Sequence, residues 1–225
     1  MTLLTTDVLV VAAHPPELAG LRALLSEELR GRVGDRTVVA EAVGIGLAAA
    51  AAGTATALQR YAPRAVVLVG TCGAYEHRGG DLAIAQVVAA NRIRLASTAA
   101  VEGRGAFPGP MGITVDADVA LSAALAGQSV RPVSVATTLA ITTEDVLANR
   151  VADALACEVE HLEAFAVATA CAQGHVPMAV ILGVANRVGS SARAEWLRHH
   201  EAAGKASTDV VAAWLRRGAP GAIRN

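Results

Sequence analysis

The sequence predicts an α/β fold: a three-layer sandwich with a central mixed, largely parallel sheet covered by helices on both faces. Three observations carry this expectation. Short apolar runs such as "DVLVVAAH", "RAVVLVGTCGA" and "VPMAVILGVAN" recur along the chain, and unbroken apolarity over a strand's length marks strands buried on both faces. Ala-rich segments of helical length lie between them, and this alternation of strand and helix builds layered α/β domains. Aromatic residues are only 3% of a chain that is 53% hydrophobic, so the core is built from small aliphatic side chains that let helices sit close to a sheet.

The first run, "DVLVVAAH", reads as a buried strand. Pro15 and Pro16 then open a helix expected from about Pro16 to Arg30, proline being at home in a first helical turn. "RTVVAEAVG" is a second strand, and "GLAAAAAGTATALQRYAP" is a helix stopped by Pro63. "RAVVLVGTCGA" is a third strand that enters a glycine turn. "GDLAIAQVVAANRIRLAS" alternates well enough for one or two more. The glycines and prolines between Ser97 and Pro110 mark a loop. "RPVSVATT" is a strand, and "TEDVLANRVADALA" is a helix with a threonine cap and acids in its first turn. "HLEAFAVATACAQG" is a helix closed by Gly174, "VPMAVILGVAN" a central strand, and the segment from Ser190 to Arg217 is helical with a break expected near Gly204. "GAPGAIRN" is a tail. No internal repeat and no linker divides the chain, so residues 1–225 are expected to form a single domain.

Composition narrows the function. A formal net charge of -1 provides no basic face for nucleic acid. The longest apolar runs fall short of the roughly 20 residues a spanning helix needs, so no membrane partner is expected. The N-terminal "MTLLTTD" lacks the basic n-region of a secretory signal. Cys72, Cys157 and Cys171 have no metal-type spacing and leave one thiol unpaired, which fits a reduced, cytoplasmic protein without a metal site.

Ligands of open α/β sheets collect at the carboxyl ends of strands. The residues there are His14-Pro15-Pro16-Glu17, Gly44-Ile45-Gly46, Gly70-Thr71-Cys72-Gly73, Leu139-Ala140-Ile141-Thr142 and Asn186-Arg187. Taken singly, the glycines make turns, Asn186 is as well read as a turn residue, and Cys72 is a small packing residue. Gly44-Ile45-Gly46 lacks the third glycine of a dinucleotide fingerprint. Glu158 and Glu160 read as surface acids that favour a helix N-terminus. Glu163 differs: it lies inside an apolar pattern, and a buried carboxylate needs partners that a ligand's hydroxyls would supply.

Together these pieces resemble the purine nucleoside phosphorylase and nucleosidase superfamily. "VGIGLAAAAAGTATALQRYAPRAVVLVGTCGAYEHRGGDLAIAQVV" is similar to its Gly-Ile-Gly helix, strand, glycine turn and Gly-Asp. "EHLEAFAVATACAQGHVPMAVILGVANRVG" resembles its second signature, an acid, a Met/Leu-Glu pair, a small-residue helix and a strand ending in Asp or Asn. The likeness spans about Val8 to Ser207. It implies cleavage of a ribosyl N-glycosidic bond, with no cofactor, a purine nucleoside as the small-molecule partner, and assembly as a homodimer or larger homo-oligomer. It also implies roles. Glu163, with Leu162, would bind the ribose, and Asn186, Ile141, Cys72 and Gly73 would line the base. Thr71 and Gly46 would border the nucleophile, and Glu17 would be the general base, with Asn186 acting on the leaving group.

The phosphorylases carry a phosphate-binding arginine just before the Val-Gly-Ser/Thr turn, where this chain has Leu68, so water is the expected nucleophile. The methylthioadenosine nucleosidases carry Asp where Asn186 stands. An amide cannot be that acid but suits a 6-oxopurine, and "Pro-x-Glu", "Glu-x-Leu-Glu" and "Asn-Arg-Val-Gly" before a Trp-bearing helix are similar to the futalosine hydrolase branch. Ile141 replaces an aromatic, Leu162 a methionine and Ala185 a serine. The alternatives are a methylthioadenosine-type nucleosidase, a phosphorylase, and a nucleoside-binding protein without catalysis.

Overall fold

The computed structural model describes residues 5–127 and 130–223. Its elements run β1 (Val8–Ala12), a 3-10 segment Pro15–Leu21, α1 (Arg22–Leu25), β2 (Arg30–Val33), β3 (Arg36–Ala42), α2 (Leu47–Tyr61), β4 (Ala65–Ala74) and α3 (Glu76–Gly79). There follow β5 (Val87–Leu95), α4 (Thr98–Val101), β6 (Thr114–Asp116), α5 (Val119–Ala126), β7 (Arg131–Thr137), α6 (Asp145–Leu155), β8 (Val159–Glu160), α7 (Ala164–Gln173), β9 (Met178–Arg187) and α8 (Ala192–Arg216).

The strands form one mixed sheet between two layers of helices, the α/β architecture expected. β1 lies parallel between β3 and β4, and β4 runs parallel to β9. Alternation along the central strands shows why they read as solid apolar runs. Leu9 and Val11 of β1, Val66 and Leu68 of β4, and Val180 and Leu182 of β9 enter the core beneath α2 and α7. Their neighbours Val8 and Val10, Val67 and Val69, and Ala179 and Ile181 enter the core beneath α5, α8 and the 3-10 segment. A period of two with both faces covered leaves no polar position. Past the sheet's middle the ladder closes on itself, because β4, β9, β5, β7 and β8 each pair with the next and β8 pairs back with β4. That closure gathers the carboxyl ends of β4, β7 and β9 around one opening.

Four local expectations are corrected. The helix expected over Pro16–Arg30 is a 3-10 segment and one turn of α-helix, ended at Ser26 with φ 85°. Residues from Arg30 instead pair antiparallel with β3, and charged Arg30 and Arg32 hid this edge strand. The helix from Asp145 is capped by Glu144, whose carboxylate accepts from Val146 and Leu147 N–H at 2.8 and 2.6 Å, and not by threonine. α8 runs unbroken through Gly204. A Cβ on Gly183 of β9 would lie 2.1 Å from the Ala203 carbonyl oxygen, so two backbones touch there, and that close packing offsets the weak helix propensity of glycine. Fourth, α5 and β6 fill a stretch that held no expected element. Asp118 begins α5 by accepting from Leu121 N–H at 2.9 Å, a cap that the Asp-Val-Ala-Leu sequence does announce. Arg224 and Asn225 of the expected tail lie outside the described residues. No helix among the described residues is long and apolar enough to cross a membrane.

Candidate active site

A cavity of about 840 Å³ opens at the carboxyl ends of β1, β4 and β9. Glu17, Thr71, Cys72, Gly73, Ile141, Leu162, Glu163 and Asn186 all line it, so residues scattered over most of the chain meet there. Gly46 is a neighbour rather than part of the wall, and it contributes through its N–H.

Glu163 sits at the N-cap of α7 and is 5% exposed. Its Oε1 accepts from Gly46 N–H at 2.7 Å, and Gly46 is itself the N-cap of α2. The carboxylate therefore lies where the positive ends of two helix dipoles converge. One oxygen is held by the glycine turn, and Oε2 keeps its capacity to accept. His161 Nδ1 approaches Oε2 at 3.4 Å, but this is not an ion pair. Nδ1 is already accepting from the backbone N–H groups of Glu163 and Ala164, at 3.2 and 3.1 Å, and so carries no proton. Burial holds the His161 pKa below its usual value despite the Glu163 charge.

Glu17 comes from the 3-10 segment after β1. Its Oε2 accepts from His14 N–H at 3.1 Å and its Oε1 from Thr71 N–H at 3.2 Å. Burial of the carboxyl, and then the negative charge of Glu163, push its pKa from 4.5 up to about 7; the backbone N–H groups oppose the shift. A carboxyl poised there exchanges protons readily near neutrality. Gly70 makes this approach possible, since a Cβ there would lie 2.9 Å from Glu17 Oε1.

Asn186 is the penultimate residue of β9 and is 8% exposed. The β4–β9 ladder slips by a residue between Cys72 and Gly73, so Gly73 faces Asn186 and Ala185 is left over. Such a bulge re-aims a side chain at a strand end. Asn186 Nδ2 donates to the Arg187 carbonyl oxygen at 2.7 Å. A carbonyl can only accept, which settles the amide's orientation, and Oδ1 with one N–H remains for a ligand. Arg187 is engaged elsewhere, donating to the carbonyls of Gly79 and Gly80 at 2.9 Å each. Cys72 is buried in the core beneath α2 and α7, and burial pushes its thiol far up, which rules against a thiolate nucleophile.

Glu160 overturns the surface-acid expectation. It is 7% exposed, accepts from Tyr75 Oη at 2.8 Å and Thr142 Oγ1 at 2.6 Å on one oxygen, and from Thr142 N–H at 3.0 Å on the other. It thereby ties down the 139–142 loop that carries Ile141. The signature around Glu163 held His161 in plain view, but nothing in the sequence oriented its ring. α8 supplies a further wall that sequence reasoning missed. Arg193, Trp196, His200 and Gly204 recur every three or four residues and face the cavity. Trp196 stacks on His200, with ring centroids 4.2 Å apart, and donates from Nε1 to Thr71 Oγ1 at 3.2 Å. Among the described residues, no group of three or more His, Cys, Asp or Glu side chains is placed to hold a metal ion.

Fold and cavity together define an α/β protein with two carboxylates and an amide at the strand ends of a partly closed mixed sheet. Residues 11–216 match the phosphorylase superfamily, and the chain belongs to it. A 5'-methylthioadenosine/S-adenosylhomocysteine nucleosidase of Tolumonas auensis is 26% identical over 240 residues, covering 92% of this chain and 98% of that relative. The fold is shared with the nucleosidase of the same name from Neisseria meningitidis bound to methylthio-immucillin-A, at a TM-score of 0.81 and 19% identity over 93% of this chain and 98% of that one. It is shared equally with futalosine hydrolase of Helicobacter pylori, at a TM-score of 0.83 and 14% identity over 93% and 97%.

Proposed function

We propose that the protein hydrolyses the N-glycosidic bond of a purine nucleoside. The observation that carries this reading is the meeting of Glu17, Glu163 and Asn186 in one cavity, with each carboxylate already oriented by backbone N–H groups. Glu163 accepts hydrogen bonds from the ribose hydroxyls through its free oxygen, and its charge favours the oxocarbenium-like sugar of the transition state. Glu17 accepts a proton from water as the water attacks the anomeric carbon. Leu162 packs against the ribose. Ile141, Cys72 and Gly73 enclose the base, while Thr71 and Gly46 hold the two carboxylates in place. Asn186 stabilises the departing base by hydrogen bonding, since an amide has no proton to give up. Leu68 occupies the position of a phosphate-binding arginine and is fully buried, which favours water over phosphate.

For the base we propose a 6-oxopurine, with futalosine the foremost substrate and hypoxanthine the product, because Asn186 offers a donor to a 6-oxo group and no acid to adenine. A second reading, a methylthioadenosine-type nucleosidase, is favoured by the Tolumonas auensis relative and by the Asn186 Oδ1, which is free to accept from a 6-amino group. The purified protein should be incubated with futalosine, inosine, methylthioadenosine and adenosine, with and without phosphate, and the released base identified by chromatography. Hypoxanthine from futalosine at a rate indifferent to phosphate supports the first reading, and adenine release supports the second. Phosphate-dependent turnover overturns hydrolysis, and nucleoside binding without turnover leaves a non-catalytic binding protein.

We also propose that residues 1–225 act as one domain in a homodimer or larger homo-oligomer. Ile45, Leu139 and Ile141 stand 63, 77 and 49% exposed around the cavity and the shallow groove beside it, apolar surface of the kind a partner covers. Three free, buried cysteines fit a reducing, cytoplasmic setting.

A further inference from the structure

The structure gives His161 a task beyond closing a helix. Nδ1 accepts from two backbone N–H groups at the start of α7. That fixes the neutral ring as the tautomer with its proton on Nε2. Nε2 points to the other side, where a Cβ on Gly70 would lie 3.4 Å from it and 2.9 Å from Glu17 Oε1. The two atoms are therefore within about 6 Å of each other, a span that one bridging water covers. Both residues line the cavity. Among the described residues no acceptor meets Nε2, and it is not one of the side-chain atoms sealed from solvent without a partner, so water in the cavity can reach it.

We propose that His161 is a positioning residue for the nucleophile: its Nε2–H donates to the oxygen of the water that Glu17 deprotonates. This rests on the hydrolase reading above. A water held between the two donates one hydrogen to Glu17 and accepts from His161 on one lone pair. The other lone pair is left aimed at the sugar. As the C–O bond forms at the anomeric carbon, the C–N bond breaks and its electron pair leaves with the base. The water's proton goes to Glu17 and returns through solvent to the departed base. Orientation of this kind governs the turnover step more than substrate binding.

Two substitutions separate the two ring nitrogens. His161→Asn keeps an acceptor where Nδ1 caps the helix and removes the Nε2–H; His161→Gln places an N–H where Nε2 lies. The expected result for His161→Asn is a kcat about 100-fold lower, with KM and melting temperature close to those of the unaltered protein, and for His161→Gln a partial recovery of kcat. The unaltered protein, labelled with ¹⁵N-histidine, should show the Nε2–H tautomer for His161 at neutral pH. Normal kcat in folded His161→Asn, or an Nδ1–H tautomer, overturns the proposal. Failure of the hydrolase reading looks different: the unaltered protein itself releases no base from any nucleoside.

Discussion

Glu17 and Glu163 face one cavity, and the charge of Glu163 adds to burial in raising the Glu17 carboxyl to about 7. The segments that carry them are joined only through the tertiary fold, one leaving β1 and the other entering α7. Their coupling makes the acid side of the pH–rate profile a readout of both. The expected profile of kcat/KM rises with pH through an apparent pKa near 7, as Glu17 loses its proton and becomes a base. In Glu163→Gln the like charge is gone, and the Glu17 carboxyl, followed by ¹³C NMR, should titrate at lower pH. An unchanged titration would mean that burial accounts for the whole shift. Turnover in this variant should fall by orders of magnitude, since the ribose loses its anchor.

Replacing Glu17 tests catalysis and stability together. Glu17→Gln should lower kcat by 10²–10⁴-fold, the usual worth of a positioned base. The sign of the stability effect follows from the raised pKa. Between about 4.5 and 7 the folded state holds a proton on Glu17 that the unfolded state has released. The protein therefore loses stability as pH rises through that window, whereas the variant lacks this loss. Melting curves from pH 5 to 8 should show the variant gaining on the unaltered protein as pH rises; parallel curves would place Glu17 in a more solvated site.

Gly73→Ala probes the placement of Asn186. The added methyl would lie 2.8 Å from both Asn186 Nδ2 and Val188 Cγ2, so the amide must shift. A cost of about 1–3 kcal/mol is expected from such overpacking, read by chemical denaturation, together with a fall in kcat/KM. Full activity would show that the amide's position is not critical.

Asn186→Asp tests the choice of base. The new carboxyl can protonate a leaving adenine and repels a 6-oxo group, so the ratio of adenine to hypoxanthine release should rise at least tenfold. A ratio that does not move would take base selection away from this residue.

Thr142→Val addresses the 139–142 loop. It removes the hydroxyl that donates to Glu160 Oε2 at 2.6 Å and leaves the Tyr75 and Thr142 N–H bonds in place. A loss of about 1 kcal/mol is expected for such a hydrogen bond. KM should rise several-fold through a loosened Ile141 while kcat changes little. A selective fall in kcat would instead connect Glu160 to the chemistry.

Much of the fold was legible because its signals are local. β1, β4 and β9 announce themselves as unbroken apolar runs, α2 and α7 as Ala-rich segments closed by Pro63 and Gly174, and each needs only its own residues to be recognised. Two short strands were not legible. β2 carries two arginines, and β8 is two residues long; both exist because a neighbouring strand offers open hydrogen bonds, which no local pattern records. The same holds for Gly204. Its weak propensity predicts a break, and only the contact of Ala203 with Gly183 shows why the helix continues.

For the site, the residue types and their order at strand ends were readable from the chain, and so was the resemblance that joined Glu17, Glu163 and Asn186 into one chemistry. Their energetics were not. Whether an acid is a base near neutrality, a buried tether or a surface charge depends on what surrounds it in space. Glu17, Glu160 and Glu163 look alike in sequence. The fold gives the first two backbone N–H groups and a like charge, the second a tyrosine and a threonine, and the third a glycine turn beside two helix ends. Proton affinity and orientation arise from burial, dipoles and hydrogen bonds between residues far apart in the chain, and these come into being only when the sheet closes around the cavity.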